Sequence, residues 1–184
     1  GVAGFRPTPG LVATAKRKLG WSSLSVSGPM ARSIDDICML LAHQAADDAR
    51  DPLSTAVDPR DFATPMPIDL GGLNVGWTTD FGFAPVDKAY AQTMRDKVRQ
   101  IKGFFRECVE ATPDLGDAEG TFSTLRALSF VANHRETYAR DPGLLGPNVR
   151  ANYEQGAAMS LADVAAAEGE HTNLYQRTED FFQE

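Results

Sequence analysis

The stretch LNVGWTTDFGFAPVDKAYAQTMRDKVRQIKGFFRECVEA, residues 73–111, reads as strand, helix and strand. Leu73 to Thr78 follows the Gly71-Gly72 turn and has the composition of a short strand, with Gly76 marking a close backbone approach. A turn at Phe81 to Pro85 leads into a helix predicted from about Asp87 to Phe105. Tyr90, Met94, Val98, Ile101 and Phe105 recur there at helical spacing as an apolar stripe, while Lys88, Arg95 and Lys102 face water. Glu107 to Ala111 is strand-like again. Two strands joined through a helix lie parallel in one sheet, which places the chain in the α/β class.

Working outward, residues 1–50 supply a strand-and-turn region and a helix. Pro7, Pro9, Gly10, Gly20, Gly28 and Pro29 deny helix to the first thirty positions. Ser33, with Asp36 three residues on, is an N-cap signature, and Ile34, Ile37, Cys38, Leu41 and Ala45 continue it at helical spacing. This helix is expected to end near Ala49, where Asp47, Asp48 and Asp51 oppose its dipole and Pro52 forbids continuation. Residues 51–70, with Pro52, Pro59, Pro65 and Pro67, read as a long surface loop. Residues 71–115 form the strand-helix-strand unit, and residues 116–184 a helical region. One helix there carries Phe122, Leu125, Leu128, Ser129 and Ala132 and stops before Asp141-Pro142-Gly143; another starts at Ser160 with Asp163 and reaches Phe182.

Composition narrows the function classes. The 184 residues hold 18 Lys+Arg against 25 Asp+Glu, a net charge of -7, and only Lys16-Arg17-Lys18 are consecutive cations, which argues against direct nucleic-acid binding. Hydrophobic residues make up 42%, enough for a folded core, yet no window is apolar enough to span a bilayer. The start of the chain lacks the pattern of a signal or transit peptide. Cys38 and Cys108 belong to no CxxC, so buried reduced thiols and a cytoplasmic setting are expected rather than a disulfide framework or a metal site. Few strands stand among several long helices, too little sheet for a self-contained doubly wound domain, so the chain is expected to be part of a larger body.

Two blocks carry a family resemblance. Gly1-Val2-Ala3-Gly4-Phe5-Arg6-Pro7-Thr8 and Ser27-Gly28-Pro29-Met30-Ala31-Arg32-Ser33-Ile34-Asp35-Asp36 resemble consecutive motifs of the amidase signature family. Looser agreement follows in order through Leu73 to Trp77, Thr112-Pro113-Asp114-Leu115, Asn152-Tyr153-Glu154-Gln155-Gly156 and Phe181-Phe182. The resemblance implies a mixed central sheet flanked by helices, of which residues 1–184 form a partial, helix-rich segment. It implies hydrolysis or transamidation of carboxamides by a Ser-cisSer-Lys triad through an acyl-enzyme, with no cofactor. All three triad positions would lie N-terminal to Gly1. Ser22-Ser23 and Lys16 to Lys18 lack the matching context, so no catalytic residue is assigned and the chain alone is expected to be inactive.

Substrate contacts are expected, if anywhere, at His171, Arg177 and Trp77. His171 falls two turns after Val164 and one before Leu174 and Tyr175, on the apolar face of the last helix, where a polar group needs a partner. The resemblance places a substrate-contacting arginine on the comparable helix of transamidase-like members, and both His171 and Arg177 lie near that position; a satisfied core histidine is the competing reading. Trp77 and Phe81 to Phe83 could line an aromatic pocket or belong to the core. Arg32 with Asp35 or Asp36 has the spacing of a structural ion pair. Asp35-Asp36 and Asp47-Asp48 point to different sides of a helix and read as solvated surface, while His43, His134 and His171 are too scattered to hold a metal. The glycines of residues 1–10 lack the order of a phosphate-binding loop.

The leading expectation is a segment of an amidase acting on a small-molecule amide, with a homodimer among the assemblies it allows. The alternatives are a glutamyl-tRNA amidotransferase A-type transamidase, served by a companion subunit, and a non-catalytic binding or scaffold module. A stand-alone module should bury its apolar stripes, whereas a segment of a larger body should leave apolar area and strand edges open.

Overall fold

The computed structural model describes residues 1–183. They form two compact units, residues 1–66 with 122–164, and residues 67–121 with 165–184.

In the first unit a two-residue strand, β1 (Ala3–Gly4), pairs antiparallel with β2 (Met30–Ala31), Ala3 opposite Ala31 and Gly4 opposite Met30. The two sequence blocks therefore meet as one hairpin-like ladder. Gly28 makes the approach feasible, because a Cβ there would collide with the Phe5 carbonyl oxygen. Helix α1 (Ile34–Gln44) starts as expected, with the Ser33 side chain accepting from the Asp36 N–H at 3.1 Å, and buries Ile37 and Leu41. It ends five residues earlier than the sequence suggested. Ala45 turns extended and bridges to Val12, and the Ala46 N–H donates to the Leu11 carbonyl, so an antiparallel contact competes successfully with another helical turn. The proline-rich stretch is not wholly irregular, since Pro59–Phe62 forms a 3-10 turn capped by Asp58.

Two further helices complete this unit. Helix α3 (Ala118–Arg140) stops before Asp141 as the Asp-Pro-Gly turn dictates, and contributes buried Leu125 and Ala127. Helix α4 (Pro147–Ala157), not resolved as an element from the sequence, begins with Pro147 in its first turn, where the missing N–H costs nothing. Its Gly156 lies directly on α3, where a Cβ would sit 2.5 Å from the Ala127 carbonyl oxygen. Tyr138 and Tyr153 stack at 4.1 Å between centroids and secure the same pair.

The second unit is the strand-helix-strand motif. β3 (Asn74–Trp77) pairs parallel with β4 (Glu107–Glu110), Val75 opposite Cys108 and Trp77 opposite Glu110, and α2 (Lys88–Ile101) makes the crossover. Asp87 caps α2 by accepting from the N–H groups of Ala89 and Tyr90. The face of α2 turned inward carries buried Ala91 and Val98, with Met94 half-buried; Tyr90 and Ile101 lie exposed, contrary to the predicted stripe. A ribbon of two strands is too narrow to cover a whole helical stripe, so its margins stay open. Helix α5 (Leu161–Gln183) brings Phe181 over the opposite face of the ribbon, within 3.7 Å of a Cβ placed on Gly76. The ribbon thus has α2 on one side and the end of α5 on the other, the flanked sheet expected of the α/β class.

Burial is thin. Among the described residues no large side chain is fully buried, while Trp21 (79% exposed), Met66 (87%) and Leu161 (85%) stand in solvent. The accessible surface is 12782 Å². A compact protein of this mass exposes about 8,700 Å², and two separate bodies of the units' sizes about 10,400 Å² together. Apolar stripes and strand edges are left open, the pattern expected of a segment of a larger body rather than of a finished module.

Candidate functional site

The sequence blocks that meet in β1 and β2 also build an apolar cavity in the first unit. It measures about 380 Å³ and is lined by Phe5, Ile34, Ile37, Cys38, Phe62 and Met66, among others, with Asp61 its one charged group. β1 delivers Phe5; the capped start of α1 presents Ile34, Ile37 and Cys38 on one face; the 3-10 turn supplies Phe62. This open cavity can hold an apolar group, but it has no acid-base pair and cannot itself run acyl transfer.

A serine- and lysine-bearing cleft of about 250 Å³ lies elsewhere in the same unit, with Lys16, Lys18, Ser22, Ser25, Ser129 and Asn133 on its walls. Its geometry fails the requirement for an activated nucleophile, which needs a base within hydrogen-bond reach. Ser22 Oγ accepts from the Leu24 N–H, Lys18 pairs with Glu136 at 3.7 Å, and no lysine reaches a serine hydroxyl among the described residues.

Beside it sits a polar centre that the sequence reading missed. Asp51, expected only to oppose the dipole near the end of α1, is 2% exposed. Its carboxylate accepts from the backbone N–H of Thr14 at 2.7 Å and of Leu53 at 3.0 Å, with the Arg17 guanidinium at 3.9 Å. These donors hold its pKa below the usual carboxylate value despite burial. The Asp-Pro-x-Ser pattern from Asp51 to Ser54 signals such a turn, but its partner Thr14 lies 37 residues away and carries no local mark. Neighbouring Asp48 is gripped by Arg50, whose side-chain and backbone hydrogen bonds lower its pKa to about 2. Arg32, by contrast, makes no ion pair among the described residues, so the expected link to Asp35 or Asp36 is absent; all three point to solvent around the helix start.

The three proposed substrate contacts fall in the second unit. His171 lies on the inward face of α5 together with Ala167, Leu174 and Phe181; it is half-buried, and no hydrogen bond to its ring occurs among the described residues. Tyr175 is off that face and exposed. Arg177 lies on the same face but is engaged: its Nε donates to the Asp114 carbonyl at 2.9 Å and its Nη2 to Glu170 at 2.6 Å. The Arg177 hydrogen bond lowers the pKa of Glu170. This clamp holds the Thr112-Leu115 stretch, whose turn closes at Gly116 with φ +47°. Trp77 is on the α2 side of the ribbon, in register with Glu110, away from the face that Phe181 covers. The structure therefore groups His171 and Arg177 on one helix face and places Trp77 on the other side of the sheet; Phe81 and Phe83 stand exposed and do not line the groove that Trp77 walls. Both cysteines are half-buried free thiols, less enclosed than expected. No cluster of side chains suited to a metal ion exists among the described residues, and no helix is long and apolar enough to cross a membrane.

Comparison with known proteins gives a consistent picture. The family model for Amidase matches residues 1–180. The glutamyl-tRNA(Gln) amidotransferase A chain of Nitrosospira multiformis is 30% identical over 112 residues, 61% of this chain and 23% of that protein. An acylamidase of Rhodococcus erythropolis is 27% identical over 138 residues, 73% of this chain and 28% of that protein. Thus the chain spans about a quarter of the length of the curated relatives it matches. A bacterial aryl acylamidase of the amidase signature enzymes superposes with a TM-score of 0.79 at 17% identity, over 99% of this chain and 39% of that one. The 6-aminohexanoate cyclic dimer hydrolase does so with 0.74 at 20%, over 100% and 41%.

Proposed function

The chain belongs to the amidase family, and on that premise we propose that the protein carrying it hydrolyses the C–N bond of a small-molecule carboxamide by serine acyl transfer. The observation that supports this best is the match over residues 1–180, in which the two sequence blocks are paired as β1 and β2. In this reading a serine Oγ, activated through a cis-serine and a neutral lysine, adds to the amide carbonyl. Backbone N–H groups hold the oxyanion, the C–N bond breaks as the amine takes a proton, and water releases the acid from the acyl-enzyme. No residue of the chain is assigned to those three roles. Its part is to scaffold: the β1–β2 ladder and α1 form a wall, and α5 presents His171, whose unpartnered ring is available to a substrate. Arg177 acts in this reading by fixing the Thr112-Leu115 stretch.

The apolar cavity along β1 and α1, together with the likeness to acylamidases, favours an amide with an apolar acyl or aryl group. The reading includes no cofactor and no direct contact with nucleic acid, and the two free thiols support a cytoplasmic setting. A fluorophosphonate that esterifies activated serines tests it. The labelled peptide should lie outside residues 1–184, and an acylanilide substrate should suppress the label. Labelling of a serine within the chain, or amide hydrolysis with no labelled serine, overturns it. A transamidase is the second reading, favoured by the 30% and 33% identities to glutamyl-tRNA(Gln) amidotransferase A chains; it requires glutamine hydrolysis that a companion subunit stimulates.

A further inference from the structure

The groove between α2 and the β3–β4 ribbon has a charge character opposite to that of the chain as a whole. It encloses about 410 Å³ and is walled by Trp77, Arg95, Arg99, Lys102, Cys108 and Glu110. Arg95, Arg99 and Lys102 follow one another at four- and three-residue intervals, so all three line one side of the helix. In a chain of net charge -7 this is a local inversion of sign. Arg99 is held by Asp96, whereas Arg95 and Lys102 are exposed and form no ion pair among the described residues. Opposite them Trp77 is half-buried, offering a flat apolar wall, and the Cys108 thiol is half-buried beside it. Glu110, in register with Trp77, is the one carboxylate on the lining.

We propose that this groove binds a small aromatic oxyanion, its carboxylate or phosphate held by Arg95 and Lys102 and its ring laid against Trp77. The volume suits a single ring with its acid group. Two unpaired cations in a concavity concentrate an anion more strongly than the same charges on a flat surface, and an aromatic wall selects a ring over a bare ion. Glu110 opposes the anion and sets the affinity low, so its charge is a built-in handle on the proposal. The inference stands apart from the amide reaction and does not need it.

Cys108 provides the readout. Alkylation by neutral iodoacetamide, followed by peptide mass spectrometry on the intact protein, reports the groove through Cys108. Phenyl phosphate and benzoate should slow modification of Cys108 saturably, and absence of any protection overturns the proposal. Inorganic phosphate should protect at higher concentration only, and phenol should not protect. The exposed double variant Arg95→Ala/Lys102→Ala should weaken protection roughly tenfold, about threefold for each exposed ion pair lost. Glu110→Gln should strengthen it. Equal protection by phenol, protection unchanged in the double variant, or protection weakened by Glu110→Gln each overturns the proposal. If benzoate protects and phenyl phosphate does not, the anion is a carboxylate; the reverse assigns a phosphate.

Discussion

Asp51 is the one buried charged group among the described residues. It draws Thr14, Leu53 and Arg17 to one point, and burial leaves water no role in replacing them. Asp51→Ala should therefore lower Tm by several degrees and Asp51→Asn by less, since the amide oxygen still accepts one N–H. The sign of the pH dependence follows from the lowered pKa values of Asp48 and Asp51. A carboxyl whose folded pKa is depressed stabilises the fold fully above its unfolded value, and that contribution is lost as pH falls through the folded value. For Asp48 the window runs from the ordinary 3.8 down to about 2. Tm should thus fall between pH 4 and pH 2, with a shallower fall in Asp51→Asn. Gly156 tests packing at the same scale: Gly156→Ala forces a methyl to within 2.7 Å of Val131 Cγ2 and onto the Ala127 carbonyl, and should cost about 1–2 kcal/mol despite the better helix propensity of alanine, as denaturant unfolding would show.

At the scale of elements, the helix starts were legible because their chemistry is local. Ser33 with Asp36, and Ser160 with Asp163, are read from four residues each, and both caps exist. At the second, the Asp163 carboxylate accepts from the Ser160 N–H at 2.8 Å while the Ser160 hydroxyl accepts from the Asp163 N–H. Removing that hydroxyl with Ser160→Ala should cost about 1 kcal/mol and speed amide exchange in the first turn of α5. The strand-helix-strand unit was equally legible, since period and turn residues fix it. Less legible was whatever depends on a distant partner. Helix α1 stops early because Val12 bridges to Ala45, and Tyr90 and Ile101 lie exposed because the ribbon beneath α2 has only two strands. Of the candidate site residues, periodicity placed His171 on the inward face of α5, but nothing local foretold that Arg177 would close on Asp114 across 63 residues. Arg177→Ala should accordingly raise hydrogen exchange in residues 112–117 while leaving that of α2 unchanged.

For the molecule as a whole, the surface left open outweighs the core. Among the described residues only eight hydrophobic side chains are buried, none of the large ones completely, whereas Val2, Phe5, Met30 and Ile34 remain exposed around the β1–β2 ladder where the family blocks meet. The chain's place in the amidase family and its small share of each relative's length give that surface a purpose within the proposed reading: a scaffold wall against which the reacting serine is presented. The most direct test is release of p-nitroaniline from an acyl-p-nitroanilide by residues 1–184 alone and by the same residues joined to a family N-terminal segment bearing the serines and the lysine. The account predicts no turnover from the former and turnover from the latter. Turnover by residues 1–184 alone, abolished by substituting one of their own serines, would contradict it.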